Sequence, residues 1–404
     1  MLIALRVFLP FALTYLLAYT LRVINAVAGE PISADLGLSA ADLGFLTSVY
    51  LAAFALCQLP FGLLMDRYGP RRVEAALLVI AAIGCGGFAL ASSFAELTIG
   101  RVLMGAGASV CLMAPFTAYR KWFSAERLPL AIGLLMMFGG AGSVLGGGPA
   151  EALLGVMGWR GVFGLGAVLT LACAVSILFV VPSKREAKES PGFATLTREL
   201  GAVLKSRALW WIAPMAATVH AGFLSILGLW TGPWLRDVAG LSADAAAFWL
   251  SMSALGLMFG FFAFGVIASR AERAGKSLHV CVIGSLFYAA VTVLIVVLPP
   301  SLATPLWVPF AIFGSSGILA YAITTKHFRE EHAGRVNTTL NFLVFFFAFL
   351  VQWGFGVILG FFPAAGGEGA SPLGFQVALC VLLVLQGLSY LPLFLRPAVP
   401  PAVD

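Results

Sequence analysis

"LSAADLGFLTSVYLAAFALCQLPFGLLMDRYGPRR", residues 38–72, opens on Leu-Ser-Ala, runs through a long, largely uncharged stretch and closes on a cluster of arginines. That apolar stretch has the ~20 residues an α-helix needs to cross the hydrocarbon of a bilayer. The same design returns as "LSADAAAFWLSMSALGLMFGFFAFGVIASR", residues 241–270, which aligns with 38–67 over thirty residues without a gap and with eight identities. Gly62, Asp66 and Arg67 correspond to Gly265, Ser269 and Arg270, and Lys121-x-Phe123 is echoed by Lys326-x-Phe328. Repeats of this kind predict two bundles that hold a substrate between them near the bilayer midplane and rock to alternate access.

The composition agrees, since 61% of the 404 residues are hydrophobic and only 10% are charged. Such a chain cannot be wrapped as one soluble globule. Charge-free runs recur at 43–65, 75–95, 128–150, 161–183 and 208–235, with more toward the C-terminus, where Pro299-Pro300 splits the long run 277–325. The expectation is an all-α polytopic membrane protein of twelve helices: an N-terminal six-helix bundle over 1–181, a cytoplasmic linker over 182–207 and a C-terminal bundle over 208–404. The N-terminus reads as a retained first helix rather than a cleaved signal. All six cysteines fall inside expected spans without metal-ligand spacing, so neither disulfides, a metal nor a cofactor is expected.

A net charge of +6 would suggest nucleic acid for a soluble domain, but here the placement of the cations matters more than their sum. With the N-terminus inside, twenty of the twenty-four Lys and Arg residues fall on cytoplasmic segments, Arg160 and Arg236 fall outside, and Arg22 and Arg101 lie within spans. Both termini are therefore expected in the cytoplasm of a multi-pass inner-membrane protein, a monomer whose partners are lipid, a small molecule and, if transport is coupled, protons.

"GLLMDRYGPRR" resembles the signature loop of the major facilitator superfamily, whose pattern Gly-x-x-x-Asp-Arg-x-Gly-Arg-[Arg/Lys] is met by Gly62, Asp66, Arg67, Gly69, Arg71 and Arg72. The resemblance implies a gate, with the glycines allowing close approach and a tight turn and Asp66 pairing across the bundle interface. The alternative for Arg71 and Arg72 is enforcement of topology alone. "RVLMGAGAS" resembles the family's second motif through Arg101, Gly105 and Gly107, and the resemblance links Arg101 to proton transfer. "GGAGSVLGGGPAEALLG" resembles the antiporter motif only at Gly148-Pro149 and continues with Glu151-Ala152, so helix packing competes with an antiport role.

Arg22 lies about 6 Å outward of the middle of the apolar run 7–29. A cation at that depth costs about 2.5–3.5 kcal/mol on insertion scales unless it snorkels, pairs or lines a wet cavity. Tyr15, Tyr19, Arg22 and Ala26 share one helical face. The Tyr-x-x-Arg pattern, followed by "DLGF", resembles the first span of organic-phosphate and organic-anion carriers, which implies that Arg22 contacts the substrate anion. A planar cation with five donors suits carboxylate or phosphate. Those phosphate carriers place a second arginine in the symmetry-related helix, where this chain has Ser225, so a singly charged anion fits better than a dianion. Nitrate carriers use arginines in spans two and eight, which are absent here.

His220, mid-span, either carries a coupling proton, hydrogen-bonds substrate, or is a satisfied core residue. Asn341, Ala348 and Gln352 share one face of "NTTLNFLVFFFAFLVQW", with Asn337 a turn earlier, and either ring a substrate or glue helices. Of eighteen acids none is expected at the centre of a span, so proton coupling would fall to His220, Glu151, Arg101 or the substrate itself. The main expectation is a secondary transporter of a small, monocarboxylate-like organic anion, with symport as its possible coupling mode. The alternative is a proton-coupled antiporter exporting amphipathic compounds. No His-Glu-x-x-His, Gly-x-Ser-x-Gly or paired membrane carboxylates suggest an enzyme.

Overall fold

The computed structural model describes residues 2–124, 128–182, 198, 201–328, 333–364 and 370–395. The chain divides into two compact units, 1–191 and 192–404. The linker read from the sequence lies largely outside the described residues, as do His332 and Arg329. Among the described residues eleven helices are long and apolar enough to cross a membrane, and a further apolar helix over Ala131–Leu145 is shorter.

In the first unit the elements are α1 (Leu2–Val23), α2 (Asn25–Leu36), α3 (Ala40–Tyr68), α4 (Pro70–Ala89), α5 (Phe94–Ala108), α6 (Met113–Trp122), α7 (Leu128–Leu145) and α8 (Gly148–Val180). Local chemistry sets their ends. Ser39 and Asp42 form a capping box that starts α3. The corresponding serine of the second copy, Ser242, accepts from the Ala245 amide (3.3 Å) at the start of the helix Ala243–Arg273. Gly69 ends α3 at φ +81°, a left-handed conformation that glycine adopts without strain, and Pro70 at once begins α4.

Two boundaries differ from expectation. The run 7–29 is interrupted at Ile24, so Arg22 stands in the last turn of α1. Span three begins at Pro70 rather than near 75, which brings Glu74 one turn inside α4, where it is fully buried. The expected lack of a buried carboxylate is thereby corrected. The cause is Pro70, whose fixed φ and missing N–H suit the first helical position and carry the helix past the arginine pair.

Small residues bring the helices of this unit together. A Cβ on Gly142 would stand 2.1 Å from the Leu16 carbonyl oxygen, and one on Gly139 2.4 Å from the Tyr15 ring, so α7 meets α1 backbone to backbone. Gly105 does the same against the Tyr50 carbonyl (2.3 Å) and Gly107 against that of Leu77 (2.5 Å). At one end of the unit Arg160 pairs with Asp35, holding its carboxyl below the usual range, donates to the Ala91 carbonyl (3.1 Å) and lies 4.1 Å from the Trp159 ring centroid.

In the second unit the helix Arg207–Ser225 continues into two π-helical stretches, Ile226–Trp230 and Trp234–Val238. It packs against the helices Ala333–Gly360 and Pro372–Ser389.

Candidate functional site

In the first unit the residues singled out on α1 do come together. Arg22 is 9% exposed, with its guanidinium carbon 4.7 Å from the Tyr19 ring centroid. Tyr15 and Tyr19 meet edge to face at 5.4 Å. Two rings of α3 that sequence reasoning missed also lie near the guanidinium carbon, Phe54 at 4.8 Å and Tyr50 at 6.0 Å. Tyr50 and Phe54 are one helical turn apart and stack on each other, a spacing visible in the sequence, but nothing there says which helix they face. Rings around a desolvated cation contribute up to about 2 kcal/mol. That is comparable with the insertion cost, and an arriving carboxylate would add a charge-assisted hydrogen bond of about 1.5–3 kcal/mol.

Arg101 is fully buried and is held rather than loose. It donates to the Leu21 carbonyl (3.1 Å) and to the Asn25 side-chain oxygen, while Asn25 donates onward to Thr47 Oγ1 (2.8 Å). Its guanidinium lies 4.8 Å from the Phe88 centroid and 5.2 Å from that of Phe163. Arg101 therefore ties α5 to the carbonyl next to Arg22 and to the break after it, fixing where α1 ends. Glu151 is half-buried in the first turn of α8.

In the second unit His220 and Asn341 are joined by a residue that the sequence reading did not single out. The His220 ring lies 6.1 Å from that of Tyr321, and the Tyr321 hydroxyl donates to Asn341 Oδ1 (2.8 Å). Gly317 lets this happen, since a Cβ there would stand 3.1 Å from the His220 Cβ. Gln352 stands apart, eleven residues from Asn341, or roughly 16 Å along the helix. It is buried, and its backbone carbonyl accepts from Trp230 Nε1 (3.0 Å). Ser225, the counterpart of Arg22, is fully buried and donates to the Ala348 carbonyl (2.9 Å). Among the described residues no cluster of side chains could hold a metal ion.

The family model described as Major Facilitator Superfamily matches residues 11–351. The chain belongs to the major facilitator superfamily. It is 25% identical over 310 residues to a probable L-galactonate transporter of Escherichia coli, covering 72% of this chain and 67% of the relative. It is 36% identical over 113 residues to the nitrate/nitrite transporter NrtP of a Picosynechococcus species, but that stretch takes in only 28% of this chain and 21% of the relative. The crystal structure of a bacterial homologue of the human lysosomal transporter Spinster superposes with a TM-score of 0.80 at 20% identity, covering 96% of each chain, which shows the shared fold.

Within this superfamily member the signature loop divides by role. Gly69 makes the turn. Gly62 does not serve close approach here, since a Cβ on it would meet nothing within 4 Å. Arg71 donates from Nε to the Leu178 carbonyl (3.0 Å), stapling the start of α4 to the end of α8. Arg72 is exposed, and Arg67 lies 5.3 Å from the Tyr68 ring centroid. The side chain of Asp66 lies outside the described residues.

Proposed function

We propose that this transporter carries a small organic anion, a monocarboxylate of the sugar-acid kind, across an inner membrane by alternating access, with both termini in the cytoplasm. The observation that carries the reading is the buried guanidinium of Arg22, framed by Tyr19, Tyr50 and Phe54 on two membrane helices. A cation kept at such a place in a membrane protein marks a substrate pathway, and its planar donors suit a carboxylate. In the first unit Arg22 anchors the charge with Tyr19 and Tyr15; within the second unit the candidate polar contacts are His220 and Asn341. The signature loop, with Asp66 at its centre, gates.

The likeness to the L-galactonate transporter supports a sugar acid as first candidate. The likeness to NrtP raises nitrate, but α3 and its symmetry-related helix Ala243–Arg273 carry arginines only at their closing ends, at Arg67, Arg270 and Arg273. Export of amphipathic compounds would lean on the glycines around Gly148-Pro149, yet Gly139, Gly142 and Gly146 meet α1 so closely that packing accounts for them.

Uptake of labelled L-galactonate into proteoliposomes holding the purified protein tests the reading. Saturable uptake, competed by other monocarboxylates and not by neutral galactose, is expected. Transport of nitrate or of neutral lipophiles with no L-galactonate flux would sink it.

A further inference from the structure

Tyr50 is 2% exposed, and among the described residues nothing accepts the proton of its phenol. The cation of Arg22 attracts the phenol oxygen, and the guanidinium carbon stands 6.0 Å from the ring centroid. A hydroxyl buried at this depth has no bulk water to turn to, so its O–H needs an acceptor within the protein. The backbone cannot carry the ring elsewhere, because Gly105 seats α5 directly against the Tyr50 carbonyl.

An acceptor has room to sit beside the ring. An enclosed chamber of about 20 Å³ is walled by Tyr50 of α3, Thr14 of α1, Met104 of α5, and Thr170 and Cys173 of α8. One water molecule needs at least roughly 10–15 Å³ of such space, so the chamber admits one water and no larger ligand. Both threonines are buried and give their own protons to carbonyls of their own helices, Thr14 to Pro10 (2.9 Å) and Thr170 to Gly166 (2.7 Å). Even with the Cys173 thiol bonded at Thr14 and the Cys85 thiol at Thr170, each hydroxyl oxygen keeps a lone pair. A water that accepts from Tyr50 and donates to both threonines makes three hydrogen bonds, about the usual number for a buried water.

We propose that this chamber is the binding site of a single water molecule, held by Tyr50, Thr14 and Thr170, which turns the Tyr50 O–H away from Arg22 and leaves the phenol oxygen facing the guanidinium. Tyr50 is then a positioning residue: its oxygen steadies Arg22, and Arg22 meets the anion. The water site is independent of the substrate, and only its effect on transport rests on the anion-carrier reading above. The second unit has no need of such a water at the equivalent place, because the counterpart of Tyr50 is Ser253, which donates to the Trp249 carbonyl (2.8 Å).

Hydroxyl-radical footprinting of the reconstituted full-length protein by X-ray radiolysis, read by mass spectrometry, tests the proposal, because a bound water generates radicals next to side chains that bulk water does not reach. Met104 should be oxidised several times faster than Met215, and Tyr50 faster than Tyr119; the two comparison residues are as deeply buried and do not line the chamber. Thr14→Val and Thr170→Val keep the side-chain shape but remove an acceptor, and each should bring Met104 down to the rate of Met215. Tyr50→Phe removes the donor and should do the same, which supplies the readout if a threonine variant fails to fold. Thr170→Val should also raise the apparent KM for L-galactonate uptake roughly threefold to tenfold, the worth of one hydrogen bond, with kcat unchanged. Equal oxidation of Met104 and Met215 in the wild type, or faster oxidation of Met104 that persists in the variants, overturns the water site. Loss of that oxidation with an unchanged KM overturns its role behind Arg22. If the oxidation pattern is found but the wild type carries no L-galactonate, the substrate reading fails and the water site stands.

Discussion

Arg22 and Ser225 occupy equivalent positions in two copies of one design, yet their surroundings solve opposite problems. Around Arg22 three rings from two helices enclose a cation. Around Ser225 a hydroxyl simply bonds the Ala348 backbone carbonyl at 2.9 Å. The first half keeps a charge that packing alone does not need, and the second has used the same position for helix packing. The contrast extends to polar chemistry, since the second unit groups a histidine, a phenol and an amide, His220, Tyr321 and Asn341. Arg22 thus gives the first unit a buried charge where the second has a buried hydroxyl.

Making the halves alike is the sharpest way to break this comparison. Arg22→Ser should weaken anion binding by about 1.5–3 kcal/mol, roughly tenfold to a hundredfold, and abolish measurable uptake in proteoliposomes while the protein still unfolds cooperatively. Filling the contact that positions α1 comes next. Gly142→Leu should lower thermal stability by about 1–3 kcal/mol through overpacking, whereas Gly62→Leu, at a position with nothing within 4 Å, should leave the unfolding temperature nearly unchanged. On the neutral side, Tyr321→Phe removes the 2.8 Å bond to Asn341 and should cost about 0.5–1.5 kcal/mol of affinity, read as a raised apparent KM with little change in protein stability. The smallest effect is expected at the Asp35–Arg160 pair, which is exposed. Because the folded state holds the Asp35 carboxyl below its ordinary range, its contribution is present above that range and is lost as pH falls through the lowered value. Asp35→Asn should therefore flatten the acid side of the stability profile slightly and leave transport at neutral pH intact.

The fold was legible because its signals are long. The repeat of 38–67 in 241–270 and the recurring apolar runs each sum over twenty or more residues, so no single residue decides them. Half of the cluster was legible as well, since Tyr15, Tyr19 and Arg22 sit on one helix at spacings that place them on one face. Tyr50, Phe54 and Tyr321 were not, because their value comes from which neighbouring helix they meet, and periodicity carries no such information. Glu74 was missed for a narrower reason. Moving the start of α4 from the edge of the apolar run to Pro70 turns a loop acid into a buried one. The glycines of 139–155 were ambiguous in sequence between an antiport motif and packing, and what the sequence could not show is that Gly139 and Gly142 lie directly against α1.

The central claim is that Arg22 recognises the charge of the substrate rather than its shape. Calorimetric titration of the purified transporter with L-galactonate and with its neutral amide, repeated on Arg22→Ser, tests this most directly. The account predicts that the wild type binds the acid and not the amide, and that the difference between the two ligands vanishes in the variant. Equal binding of acid and amide by the wild type, or a preference for the acid that survives in Arg22→Ser, would contradict it.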